Sequence, residues 1–481
     1  MIKVKLGTAT AAFQCEGNLK TDNRGKCVWD DVLLDDKSIA KYNPEPASEF
    51  YTKYDEDFRL AKEYGIEVLR VSIPWSRIFP KNAKDVNKKA VDHYHRFFKK
   101  MLEYGITPNV TLHHFDSPQW FVEKGDFLSR NNVDDFLYFA RFCFEEFTEI
   151  YYWSTINEIN AYSEQKNIKA ALPPFFNLEY GHFFKQQYNM VIAHAKTVIM
   201  FKENKYKGEI GVPANVCPFQ PIDNKPESIS ASNRANAITN WSFLEPITSG
   251  EFSKETIGLI NDVLKNYDFI FKPQEEDLKI IKKAAEIIDW IGINYYFTTF
   301  VEKPDDKFEF EVNTTGEKGK SKFSVPWLWK VVKKDGVKTT NWDWNIYPDG
   351  LAIVVDWVSN KYNCKKPIFI TENGFGDLED IKNTPFIKDI DRINYIQDHF
   401  DVIQKLNDKG ENIQHYYLWS HMDMFSWTNG YNKRYGLFYV DFENQKRYEK
   451  LSSYWWLEKS KQNRLDEKIN IDELLKKIGK N

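Results

Sequence analysis

The chain has 481 residues, enough for one elaborated domain or two to three small ones, and its 66 basic and 70 acidic side chains leave a formal charge of −4. The balance shows no basic excess or arm for a nucleic-acid partner, and no apolar run approaches the ~18 residues of a membrane span. The 15 Trp, 26 Tyr and 36 Phe make up 16% of the chain; a large core absorbs most of them, and the surplus suits a protein that offers flat faces to sugars.

In chain order, short apolar runs alternate with longer amphipathic ones. The short runs lie at 3–9, 67–73, 107–114, 151–157, 209–216, 289–296, 367–373 and 413–420. Between them, segments such as 48–65, 133–150 and 393–406 repeat apolar residues every three or four positions, the helical period. This alternation predicts a parallel sheet. Eight candidate strands predict one α/β domain over 1–481, a closed (β/α)8 TIM barrel with elaborated βα loops. A doubly wound sheet is the competitor, but no candidate strand is followed by its Gly-rich phosphate fingerprint. The segment 300–347 reads as a long irregular loop, the wall or lid of a site, with Trp327, Trp329, Trp342 and Trp344 expected to be covered. From about 457 the chain reads as a charged surface helix.

Cys15, Cys27, Cys143, Cys217 and Cys364 are scattered and odd in number, without CxxC spacing. Neither a disulfide framework nor a zinc site is expected. With no apolar leader at the start, the expectation is a soluble, cytoplasmic protein without cofactor or metal. His113, His114 and Asp116 are the nearest approach to a metal set. Adjacent strand residues face opposite ways, so at most one of the two histidines reaches a barrel mouth, and His114 has the better claim to substrate.

Barrel chemistry sits at the C-terminal strand ends. Here the candidate strands finish in Arg70, His114, Asn157-Glu158, Asn294-Tyr295, Glu372-Asn373 and Trp419. A lone strand-end Glu is more often a structural partner of an arginine. Two of them, in TINE (155–158) and TENG (371–374), provide the paired carboxylates of glycoside hydrolysis: one donates a proton to the leaving oxygen and the other attacks the anomeric carbon.

These motifs, with GTATAAFQCEG (7–17) and RYGLFYVDF (434–442), resemble those of the retaining β-glycosidases of glycoside hydrolase family 1 over nearly the whole chain. The resemblance implies Glu158 as acid/base and Glu372 as nucleophile, with Arg70 and Tyr295 holding Glu372. It implies that Gln14, His114, Asn157, Asn294 and Trp419 contact the sugar. Ile159 replaces the usual Pro after the acid/base, and Phe115 a frequent Trp, so those loops are expected to differ in shape.

In FSWTNGYNKRY (425–435), Ser426 stands where ordinary family members carry a Glu that binds the 4- and 6-hydroxyls. That change removes a charge that would repel a 6-phosphate. Lys433 and Tyr435, two apart, share one face of an extended segment, and Asn429-Gly430 can turn the chain back toward Ser426. The set Ser426, Lys433 and Tyr435 resembles the phosphate signature of the family's 6-phospho-β-glycosidase branch, so a phosphorylated disaccharide is the expected partner. Trp427 resembles the residue that the galactoside-cleaving members present to an axial 4-hydroxyl, and gluco specificity is the alternative. Arg434 is expected to point away from the phosphate.

Overall fold

The computed structural model describes residues 3–32, 42–382, 384 and 386–480. All eight expected strands are present: β1 (Lys5–Ala9), β2 (Val68–Ser72), β3 (Thr107–His113), β4 (Tyr152–Ile156), β5 (Glu209–Asn215), β6 (Trp290–Asn294), β7 (Ile368–Asn373) and β8 (Ile413–Trp419). Each pairs in parallel with its neighbours in the chain, and β1 closes the barrel on β8, from Lys5 opposite His415 to Ala9 opposite Trp419. Every residue of β2, β4, β6 and β7 is buried, as sheets covered on both faces require.

The covering helices follow the expected period. Lys88–Glu103 buries Val91, Tyr94, Phe98 and Met101 on one stripe, and Val133–Glu146 buries Phe136, Phe139, Ala140 and Cys143. Asp134 and Asp135 in the first turn of the latter complement the helix dipole. The N-terminal end of the barrel is plugged by Tyr152, Trp290 and Phe369. Trp290 and Phe369 stack at 4.6 Å, and Phe369 stacks on His415 at 3.9 Å.

Two expectations change. The segment 300–347 is not irregular. With Phe219–Pro221 it forms a five-stranded sheet that also contains Thr299–Glu302, Lys330–Val332, Lys322–Ser324 and Glu309–Glu311. Trp329 and Trp342 are buried and Trp344 half-buried, but Trp327 is 38% exposed. The tail is not one surface helix either. Helix Leu451–Ser460 buries Trp455 and Trp456, and a second helix, Ile471–Lys477, is capped by the Asn470 side chain. Between them Leu465 is buried, its carbonyl accepting from Gln397 Nε2 and Lys459 Nζ.

Candidate active site

The strand ends converge on a cavity of about 280 Å³ lined by Glu158, Glu372, His114, Asn157, Trp419 and Ser426, among others. β4 ends at Ile156, and Glu158 follows in the left-handed region (φ 47°), its N–H donating to the Pro213 carbonyl at 3.0 Å. A non-glycine residue adopts this backbone only where its surroundings impose it, a pattern concentrated at functional sites. Glu372 needs no such turn because it is the penultimate residue of β7.

One hydrogen-bonded network fixes both carboxylates. Arg70 on β2 donates to Glu372 Oε1 at 2.5 Å, to Asn157 Oδ1 at 2.7 Å and to Thr111 Oγ1 at 3.1 Å. Asn294 Nδ2 donates to Glu158 Oε1 at 2.8 Å and Asn157 Oδ1 at 3.1 Å, while its own oxygen accepts from Thr371. With Asn157 Oδ1 thus accepting twice, Asn157 Nδ2 is the donor to His114 Nε2 at 3.1 Å. His114 therefore carries its proton on Nδ1, a buried donor without a partner among the described residues. Burial, then the Arg70 charge, hold this imidazole neutral.

The carboxylates are electrostatically unequal. Burial, and second the charge of Glu372, push Glu158 up to about 8. Burial also raises Glu372, but the Arg70 guanidinium and the Tyr296 hydroxyl oppose it, whereas Glu158 has the Asn294 amide as its hydrogen-bond donor. The pair's proton accordingly resides on Glu158.

Around them, Gln14 Nε2 donates to the Phe425 carbonyl at 2.7 Å, leaving its oxygen buried and unpartnered. Trp427 stacks on Phe13 (5.9 Å, 3°) and lies 4.6 Å from Trp29, so one of its faces is fixed. His113 turns the other way, to Ser117 Oγ at 2.9 Å and the ring of Tyr162. No cluster of three metal-ligating side chains occurs among the described residues.

The loop after β8 folds back as anticipated. Ser426 N donates to the Gly430 carbonyl and Asn429 N to the Ser426 carbonyl, both at 2.7 Å. Gly430 has φ 60°, and a Cβ there would lie 2.3 Å from the Tyr42 ring. Asn429 Nδ2 donates to Ser426 Oγ at 3.2 Å, leaving the hydroxyl hydrogen free to donate. Lys433 and Tyr435 line the same cavity. Arg434, between them, instead pairs with Asp423 at 2.9 Å and donates to the Val440 carbonyl. A Cβ at Gly376 would come within 2.9 Å of both Lys433 and the Tyr435 ring, so the glycine lets the two approach.

Lys433 is 2% exposed and has no carboxylate partner among the described residues. Its ammonium lies 3.4 Å from the Trp344 ring centroid and 4.7 Å from that of Trp342. Cation–π attraction offsets only part of the cost of burying a charge, and burial holds the ammonium well below the ordinary lysine value.

Two sequence expectations are corrected. The Tyr295 hydroxyl bonds to Thr298 Oγ1 and the Tyr347 carbonyl; Tyr296 is the one that donates to Glu372, at 2.6 Å. Asn294 faces the barrel interior, so the residue sharing its face is two along, not one. Asn294 itself is fully buried behind the cavity wall with its amide engaged, so it positions Glu158 and does not reach a sugar. The sequence reading also missed Trp342 and Trp344 as partners of Lys433, about 90 residues distant in the chain and signalled only by the Trp-rich run NWDWN.

A model of glycosyl hydrolase family 1 matches residues 4–465. Curated relatives include a 6-phospho-beta-galactosidase of Leptotrichia buccalis, 42% identical over 94% of this chain and 96% of its own. Another, from Staphylococcus haemolyticus, is 40% identical with the same coverage. Among solved structures, a family 1 β-glucosidase from Thermotoga maritima superposes with a TM-score of 0.86 at 29% identity, covering 97% of this chain and 98% of that one.

Proposed function

The chain belongs to glycosyl hydrolase family 1, and on that basis we propose that it is a retaining 6-phospho-β-galactosidase cleaving lactose 6-phosphate to galactose 6-phosphate and glucose. The observation that carries the phosphate is Lys433, a buried basic side chain with no carboxylate partner among the described residues, in the cavity that also holds Ser426, Glu158 and Glu372. A phosphate bearing about −1.5 to −2 charges supplies the missing counter-ion, with Ser426 and Tyr435 donating alongside. The names of the curated relatives support galactoside over glucoside.

In the first step, protonated Glu158 gives its proton to the glycosidic oxygen while ionised Glu372, aimed by Arg70 and Tyr296, attacks the anomeric carbon. The C–O bond to the leaving sugar breaks and a glycosyl–Glu372 ester forms. Glu158, now ionised, then takes a proton from a water that attacks the same carbon; the bond to Glu372 breaks, its carboxylate leaves, and galactose 6-phosphate is released with retained configuration. Gln14, His114 and Asn157 are assigned to the sugar hydroxyls, Trp419 to its apolar face and Trp427 to the 4-position. Five free cysteines and the absence of a membrane-spanning helix among the described residues support a cytoplasmic setting.

Assays with nitrophenyl β-galactoside and β-glucoside, each with and without the 6-phosphate, test the reading. Turnover confined to the phosphorylated galactoside is expected. Equal rates with and without phosphate would overturn the phosphate assignment, and faster gluco turnover the galacto one.

A further inference from the structure

The carboxylates and the pocket around Lys433 are joined through the backbone. Past Glu372 the chain runs to that pocket. There Asp377 and Arg434, the residue between Lys433 and Tyr435, exchange both backbone hydrogen bonds at 2.9 Å. Gly376, one position earlier, is the glycine against which Lys433 and the Tyr435 ring pack. Asp377 Oδ1 also accepts from Asn341 Nδ2 at 2.8 Å, which ties the loop bearing Trp342 and Trp344 to the same point.

A second connection runs through side chains. Lys433 Nζ lies 3.4 Å from the Trp344 ring centroid, Trp344 meets the Tyr296 ring at 5.6 Å, and Tyr296 holds Glu372 at 2.6 Å. Trp344 also stands 6.5 Å from the Tyr435 ring. In the free protein Lys433 thus leans on the indole beside the phenol that orients the nucleophile. A dianion offers Lys433 a charge-assisted bond, which outweighs its contact with the ring. Binding therefore draws Lys433 off Trp344 and gathers Ser426, Lys433 and Tyr435 around one ligand. The segment paired with the one leaving Glu372 loses freedom. Binding energy gained away from the reacting bond is then spent on holding Glu372 in its attacking position. Neither connection requires the dianion to be bonded to the sugar.

We propose that the pocket of Ser426, Lys433 and Tyr435 is an activator site for free oxyanions, where an unattached dianion accelerates cleavage of galactosides that lack the 6-substituent. This rests on the 6-phospho-β-galactosidase reading and gives its phosphate pocket a second class of ligand. The chemistry at the carboxylates is unchanged. Glu372 forms its ester with the anomeric carbon as the leaving group departs, and water then breaks that ester. The anion is neither consumed nor transferred.

Nitrophenyl α-L-arabinopyranoside is the galactoside without its C6 group, and phosphite carries the three terminal oxygens of a phosphate ester without the bridging one. The two together therefore test the proposal. In the wild type kcat/KM should rise about tenfold or more to a plateau with phosphite, relative to sodium chloride at equal ionic strength. Lys433→Met and, as a second variant, Ser426→Glu should each abolish the rise, and the product should be arabinose. No rise, inhibition, or a rise that survives both substitutions would overturn the proposal. So would an arabinosyl phosphite product, which would make the anion a nucleophile. Nitrophenyl β-galactoside with and without the 6-phosphate, assayed in parallel, separates the two readings. If the phosphorylated compound is preferred and phosphite has no effect, this proposal alone falls. If there is no such preference, the parent reading fails and takes this one with it.

Discussion

The Tyr296 hydroxyl donates to Glu372 Oε2 at 2.6 Å, while its neighbour Tyr295 turns to the Tyr347 main chain. Two adjacent phenols at the end of β6 therefore have separable roles. Tyr296→Phe removes a donor to a carboxylate that must be ionised to attack, a bond to a charged group worth about 1.5–3 kcal/mol. A kcat loss of about 10- to 10²-fold is expected, with the acidic limb of the pH profile moved up because Glu372 is easier to protonate. Tyr295→Phe should lower Tm with little change in kcat. The reverse pattern would restore the original sequence expectation.

The second prediction concerns alkaline pH. Glu158 must be protonated to serve as acid, and burial with the Glu372 charge places it at about 8. On its alkaline side, activity on a poor leaving group should therefore fall as pH rises through that value. Removing the Glu372 charge by Glu372→Gln lowers the Glu158 value, because the second of its causes is gone. Infrared or NMR titration of the carboxyl in that inactive variant measures the shift; an unchanged value would mean that the two carboxylates do not sense one another.

The barrel was legible because its eight strands are continuous apolar runs and its chemistry lies at their ends, so a local pattern located Glu158 and Glu372. Misreadings arose where local pattern was silent or applied inconsistently. Asn294 and Tyr295 were both aimed at the site, although a strand alternates; taking Asn294 as inward selects Tyr296. The extra sheet is built from pieces as short as Glu309–Glu311 and Lys322–Ser324, too brief for a period to show. The indoles against Lys433 arrive from the loop that follows Lys330–Val332, by a long-range contact that no spacing encodes. The tail's buried leucines were masked by the charged residues around them.

Lys433 gives a third prediction, in which stability and binding move oppositely. In the free protein its amine is buried among aromatic rings with no counter-ion among the described residues, and burial lowers its pKa. Phosphate binding favours the charged form, so galactose 6-phosphate should bind with net proton uptake wherever the free side chain is partly neutral, read by calorimetry in buffers of different ionisation enthalpy. Lys433→Met removes a buried amine whose charged form burial disfavours, and should raise Tm while abolishing the uptake. Catalytic efficiency on the phosphorylated substrate should fall about 10²-fold or more, since removing one partner of a buried charge pair costs about 2–5 kcal/mol. A variant less stable than wild type, with proton uptake intact, would place the phosphate elsewhere.

Ser426 tests the same pocket by adding charge. It is 6% exposed, its backbone is pinned to Gly430 and its hydroxyl accepts from Asn429, so a side chain placed there stays in the cavity. Ser426→Glu introduces a carboxylate beside Lys433, the only uncompensated cation lining that cavity among the described residues. The new carboxylate satisfies Lys433 internally and repels an incoming phosphate, two effects of the same sign. Like-charge contact in such a site costs several kcal/mol, so efficiency on nitrophenyl β-galactoside 6-phosphate should drop by about 10²- to 10³-fold. The unphosphorylated galactoside meets no repulsion and gains an acceptor for its hydroxyls, so the ratio of phosphorylated to unphosphorylated efficiency should fall further than the phosphorylated efficiency alone. Steady-state kinetics on the matched pair decides it. A parallel decline on both substrates would show that the substitution merely damages the loop, and that Ser426 does not govern phosphate entry.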